Sequence, residues 1–213
     1  LADSLKNNIP GLRGLVTLAI VANLLLATPV SAQISSNPNP MWEGYQKTET
    51  DLADDQKFIA DVLKLTDGNR QQASQALVQI GWKRMGQDAN HAIRAFNQAW
   101  LLEPENPNVF WGFAVAAHIR NDEIKTITRW FNRTRQLMTL KGVPENARLE
   151  ADHGRVLAER KQYSEALTLF EKSIALDPDY VPAHIGMINV AKALGNMELE
   201  EKHQTIHDEL VKG

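Results

Sequence analysis

Two stretches of this chain carry one spacing of side chains. Ala92, Phe96, Ala99 and Pro104 recur as Ala166, Phe170, Ser173 and Pro178, with intervals of 4, 3 and 5 residues in both. Gly81 lies 11 residues before the first alanine and Gly154 lies 12 before the second. Intervals of three and four keep side chains on one face of a helix. A proline beyond them cannot continue it. The pattern predicts pairs of antiparallel helices, each pair closed by a proline. Glycine marks the close crossing, where any side chain would push the second helix away.

The helical period extends beyond these stretches. Leu52, Phe58, Ile59, Val62 and Leu63 predict a helix from Asp51, ended by Thr66-Asp67-Gly68-Asn69. Helices follow from about Gln71 to Met85 and from Ala89 to Leu102, the second capped by Asp88. Phe110, Phe113, Ala114 and Ala117, then Ile124, Ile127, Trp130 or Phe131, Thr134 and Leu137 or Met138, predict a more degenerate pair that turns at Asn121-Asp122. A longer loop is expected at Thr139–Glu145, where Gly142 and Pro144 interrupt the period. Ala147–Glu159 and the helix opened by Gln162-Tyr163-Ser164-Glu165 form the next pair. Tyr180–Leu194 and Met197–Val211 form the last, with Glu198, Glu200, Glu201 and Lys202 on the outer face of the final helix.

The repeated Ala-x3-Phe…Pro pattern with its upstream glycine resembles the tetratricopeptide repeat, a helix-turn-helix unit of about 34 residues. The resemblance covers about residues 70 to 210. It implies an all-α, right-handed superhelical array of three to four units with capping helices. Arg84 and Leu157 depart from the family, which has tyrosine there. One such unit cannot bury its apolar face alone, and stacked units offer an extended surface for binding. The implied function is a non-catalytic protein-protein interaction scaffold. In this family the first helix of each unit lines the concave face. The resemblance therefore places Val78, Trp82, Met85, Asn108, Trp111, Val115 and His118 there in the first half. Arg148, Ala151, Arg155, Ile185, Asn189 and Lys192 occupy the second half. The expected partner-binding residues are Trp82, Trp111, His118, Arg148, Arg155, Asn189 and Lys192. An aromatic end and a basic end suit a protein or peptide with an apolar anchor and an acidic segment. The alternative reading is that the tryptophans pack between units and the charges are solvated. The polar clamp that some members use for peptide carboxylates is not reproduced, since Val78, Trp82 and Gly112 stand in its places.

The N-terminus bears on location. Lys6 and Arg13 precede an apolar run, Leu15–Ala27, followed by Pro29 and Val30-Ser31-Ala32. This order predicts a signal peptide, residues 1–32, cleaved near Ala32. Residues 33–50 follow as a flexible spacer, and residues 51–213 form the repeat domain. The expected location is periplasmic or secreted. The alternative is an uncleaved anchor carrying a membrane-bound periplasmic assembly or maturation factor, and a membrane contact is expected only in that case. The net charge is −3, which gives no footprint for nucleic acid.

No constellation for chemistry stands out. The chain has no cysteine, which excludes disulfides and thiolate sites. His203 and His207 share a helix face, but two ligands do not close a zinc site. They read as surface histidines. Asp152, His153 and Ser164 could be assembled into a hydrolase triad, a third reading, but no nucleophile elbow supports it. The expectation is no catalytic residue, no metal and no cofactor.

Overall fold

The computed structural model describes residues 39–212. The expected signal peptide, residues 33–38 of the expected spacer, and Gly213 lie outside the described residues. Every regular element among the described residues is helical. A single 3-10 turn, Pro40–Trp42, leads into α1 (Glu49–Leu65), α2 (Arg70–Met85), α3 (Ala89–Leu102) and α4 (Pro107–Ile119). These are followed by α5 (Ile124–Leu140), α6 (Ala147–Glu159), α7 (Tyr163–Leu176), α8 (Val181–Leu194) and α9 (Met197–Leu210). Side-chain caps set several starts. Thr48 and Asp51 form a reciprocal capping box at α1. Asn69, Asp88, Asn106, Asn146 and Asn196 each accept a backbone N–H at the start of α2, α3, α4, α6 and α9. The described residues fall into two compact units, one ending at Arg120 and one starting at Asn121. The division falls inside the degenerate repeat, between its two helices. Asn121 takes φ 64 there, a left-handed conformation that asparagine tolerates.

In the first unit, Phe96 of α3 is fully buried. It lies against two glycines, Gly81 on α2 and Gly112 on α4. A Cβ on Gly81 would stand 2.5 Å from the Phe96 ring, and one on Gly112 closer still. Trp82 and Phe113 meet the same ring edge-on, with centroids 5.7 and 6.1 Å away. A buried polar pin joins the three helices. Ser74 Oγ donates to Ala99 O at 2.9 Å, and Asn106 Nδ2 donates to Ser74 Oγ at 2.9 Å.

The start of this unit is docked rather than loose. The Met41 N–H donates to Asn97 Oδ1 at 2.7 Å, and Asn97 Nδ2 donates back to Asn39 O at 2.9 Å. Trp42 is buried against Trp100, with Lys47 Nζ 3.3 Å above its ring centroid. Lys47 also pairs with Asp55. Within the segment expected as a flexible spacer, therefore, residues 39–42 pack on α3 and Lys47 is held by Asp55 of α1. Its tryptophan and asparagine contacts outweigh the breaking tendency of its prolines.

The second unit repeats the device. Phe170 of α7 is buried between Gly154 on α6 and Gly186 on α8. Ser173 Oγ donates to Ala147 O at 2.7 Å, tying α7 to the start of α6. Helices α8 and α9 are joined by His184 and His203, whose Nδ1 atoms are 2.9 Å apart. His184 Nε2 donates to Pro178 O at 2.8 Å, so His203 supplies the proton of the shared bond. His203 is thus buried, not a surface residue, and burial lowers its pKa. The fold is all-α, built of tetratricopeptide-like helix-turn-helix units.

Candidate functional site

The expected binding residues fall into two kinds of environment. In the first unit, Trp82 is half-buried and meets Trp111 edge-on, at 5.6 Å between centroids. Trp111 is only 8% exposed, and Val78, Met85 and Val115 are buried as well. Asn108 and His118 are half-buried. The aromatic pair is therefore largely engaged in holding α2 to α4, and Trp82 keeps part of its surface exposed.

In the second unit, Arg148, Arg155, Asn189 and Lys192 are exposed, together with Ile185, while Ala151 is buried. The three cations are not bare. Asp152 stands between Arg148 and Arg155, 3.9 Å from each. Arg155 also reaches Glu159 at 3.3 Å, and Lys192 lies 3.7 Å from Glu200. Exposed pairs of this kind contribute at most about 1 kcal/mol each. Their main consequence is electrostatic: three carboxylates offset three guanidinium and ammonium groups. The expected basic end is a mixed-charge surface. The i, i+4 spacing of Arg148 to Asp152 and of Arg155 to Glu159 carries that signal in the sequence.

A second feature escaped the sequence reading. A groove of about 1200 Å³ opens in this unit between α5 and α7. His153 and Leu157 of α6 form its floor. One wall carries Lys125, Arg129, Arg133 and Arg135, and the other carries Glu165, Thr168 and Leu169. The relevant signal is the basic run on α5, at intervals of four from Lys125 to Arg133.

Behind the groove lies a buried ionic network. Glu150 is 1% exposed and accepts from Arg135 Nε at 3.0 Å and Nη2 at 2.5 Å. Lys172 stands 3.1 Å from Oε1, the oxygen that also accepts from Arg135 Nε. Burial pushes the Glu150 carboxyl up, but Arg135 and Lys172 together outweigh it and hold the pKa below the usual value. Arg135 Nη2 also lies 3.0 Å from His153 Nδ1. A guanidinium can only donate, so that nitrogen accepts and the ring proton sits on Nε2, 3.4 Å from Thr128 Oγ1. Burial and the neighbouring Arg135 push the pKa of His153 down to about 3. The ring stacks on Phe131 at 4.4 Å. Both ring nitrogens therefore face Arg135 and Thr128, and the imidazole is not available to Ser164. Among the described residues no group of three His, Asp or Glu is placed to hold a metal ion. His207 pairs with Asp208 at 3.0 Å, while His203 belongs to the pair with His184.

The sequence matches no protein-family model and no curated protein. The structure is similar to the crystal structure of MamA, with a TM-score of 0.55 and 18% identity over 79% of this chain and 97% of that one. It is also similar to PilW, described as a widely conserved type IV pilus biogenesis factor. That match has a TM-score of 0.59 and 16% identity over 88% of this chain and 80% of the other. At these identities the likeness is one of fold.

Proposed function

We propose that the chain is a non-catalytic scaffold that binds a protein or peptide partner along the first helices of its repeats. Residues 51–213 are the binding module. The carrying observation is the exposed face of α6 and α8, where Arg148, Arg155, Asn189 and Lys192 project from helices anchored on the buried Phe170. Anchoring of this kind lowers the entropy lost on binding. Trp82, Trp111 and His118 are the proposed contacts in the first unit. An acidic segment of the partner replaces Asp152, Glu159 and Glu200 as the counter-charge of the three cations. The fold is shared with PilW, described as a biogenesis factor, which supports an assembly role without assigning one.

The test is partner capture by Arg148→Glu/Arg155→Glu, compared with the unaltered chain. Capture is expected to fall and the melting temperature to stay unchanged. Unimpaired capture at low salt overturns the assignment of this face.

Export is part of the same proposal, with cleavage near Ala32 releasing a mature form that starts at Gln33. A membrane-anchored assembly factor is the second reading. No helix among the described residues is long and apolar enough to cross a membrane. The anchor in that reading is the weakly apolar stretch of residues 14–32. N-terminal sequencing decides: a start at Gln33 supports export, and an intact segment in the membrane fraction supports the anchor.

A further inference from the structure

The groove between α5 and α7 lies on a different side of α6 from the face just described. At 100° per residue, His153 and Leu157 point about 150° away from Arg148, Asp152 and Arg155. The groove is also chemically distinct. Its floor and lower walls are Leu157, Leu169, Ile124 and the methyl-bearing Thr128 and Thr168. Its α5 rim carries Lys125, Arg129 and Arg133, at i, i+4 and i+8 on one helix face. Arg135, deeper in the wall, is matched by Glu150 behind it. Arg129 lies over the Trp130 ring at 4.4 Å and Arg133 donates to Gln136 Oε1 at 2.6 Å. The opposing rim contributes one carboxylate, Glu165. In a chain of net charge −3, this lining has the opposite sign to the whole.

The size of the groove restricts its occupant. A helix about 10 Å across and three turns long fills about 1300 Å³. The groove holds about 1200 Å³. Two helices flanking a recessed third leave the space of one missing helix, and an amphipathic helix laid into such a groove is a recurring mode of recognition.

We propose that this groove is a second docking site and takes a three-turn, acidic amphipathic helix of a partner protein. The apolar face of that helix seats on Leu157 and Leu169. Its carboxylates meet Lys125, Arg129 and Arg133. The competing occupant is another copy of this chain, because α9 carries Glu198, Glu200, Glu201, Asp208 and Glu209.

The experiment uses the full chain and a fluorescent peptide of about four turns, with leucines at helical spacing and glutamates elsewhere. A scrambled peptide of equal composition and a lysine-for-glutamate peptide are the controls. Binding is read by anisotropy at low salt and at about 0.15 M salt. The unaltered chain is expected to bind the patterned acidic peptide more tightly than either control. Lys125→Glu/Arg129→Glu/Arg133→Glu is expected to weaken it by about tenfold or more, and by less in the higher salt. Thr168→Trp, which fills the groove without changing charge, is expected to do the same. Arg148→Glu/Arg155→Glu is expected to leave this binding unchanged.

Equal binding of the scrambled peptide overturns the groove, because charge alone then explains the affinity. So does triple-variant affinity within about twofold of the unaltered chain. Loss of binding only in Arg148→Glu/Arg155→Glu also refutes the groove but leaves the proposed first-helix face standing. Sedimentation that shows self-association lost in the triple variant assigns the groove to a second copy and overturns the partner-protein assignment.

Discussion

The Phe96 sandwich gives the sharpest stability prediction. Gly112→Ala adds one carbon to helix α4. In an open helix that change stabilises by about 1 kcal/mol. Here the added Cβ would overlap three carbons of the Phe96 ring. The ring has no room to retreat, because Gly81, Trp82 and Phe113 hold its other sides and it is fully buried. Overpacking costs about 1–3 kcal/mol, and a clash this close belongs at the top of that range. The net expectation is a loss of about 2 kcal/mol, or about 10 °C in melting temperature for a unit of this size. Gly86→Ala is the control. It has helical dihedrals and open space around its Cβ, and is expected to be neutral or stabilising by about 0.5 kcal/mol. Phe96→Leu makes room, so the double variant is expected to lose at least 1 kcal/mol less than the sum of the singles, as roughly expected of contacting residues. Urea denaturation followed by tryptophan fluorescence and circular dichroism measures all four. If Gly112→Ala unfolds at the same urea concentration as Gly86→Ala, the sandwich does not set the helix spacing.

Three further outcomes follow from the described contacts. Glu150→Gln leaves Arg135 and Lys172 without their shared counter-charge and is expected to cost about 3 kcal/mol, read by urea denaturation. His153 is neutral when folded, with a pKa of about 3 against 6.5 in the unfolded chain. Its contribution is complete above pH 6.5 and is lost as the pH falls, by about 1.4 kcal/mol per pH unit. His153→Phe keeps the stack on Phe131 and is expected to flatten the fall in stability between about pH 6.5 and 5, seen in denaturation series. Trp42→Ala empties the site on Trp100 and is expected to cost about 3 kcal/mol and to make residues 39–48 sensitive to limited proteolysis.

The helices were the most legible part of the sequence. Helices α3 and α6 run over the residues their periodicity predicts, and Gly81 and Gly154 sit against the phenylalanines they were paired with. The second glycine of each sandwich lies outside the repeated pattern. Gly112 and Gly186 follow the first by 31 and 32 residues, a spacing visible only once Phe96 and Phe170 are seen to need clearance on two sides. Site residues were less legible for a geometric reason. An error of one position turns a side chain by 100° on a helix, enough to exchange an exposed residue for a buried one. His203 read as a surface residue because its partner, His184, is on the preceding helix and no local pattern links them. The α5–α7 groove depends on how far two helices stand apart across a third, and no spacing within one helix encodes that distance.

The central claim is that this chain works by holding a protein along its first helices. Photo-crosslinking from single positions tests it most directly. A photoreactive residue is placed at Arg155, Asn189 or Trp82, with Lys57 on α1 as a control position outside the proposed face. Arg155, Asn189 and Trp82 are predicted to give the same protein adduct, lost when untagged chain competes, and Lys57 none. An adduct that forms from Lys57 but from none of the three, or no protein adduct at the three under conditions where the chain is active in the cell, contradicts the claim.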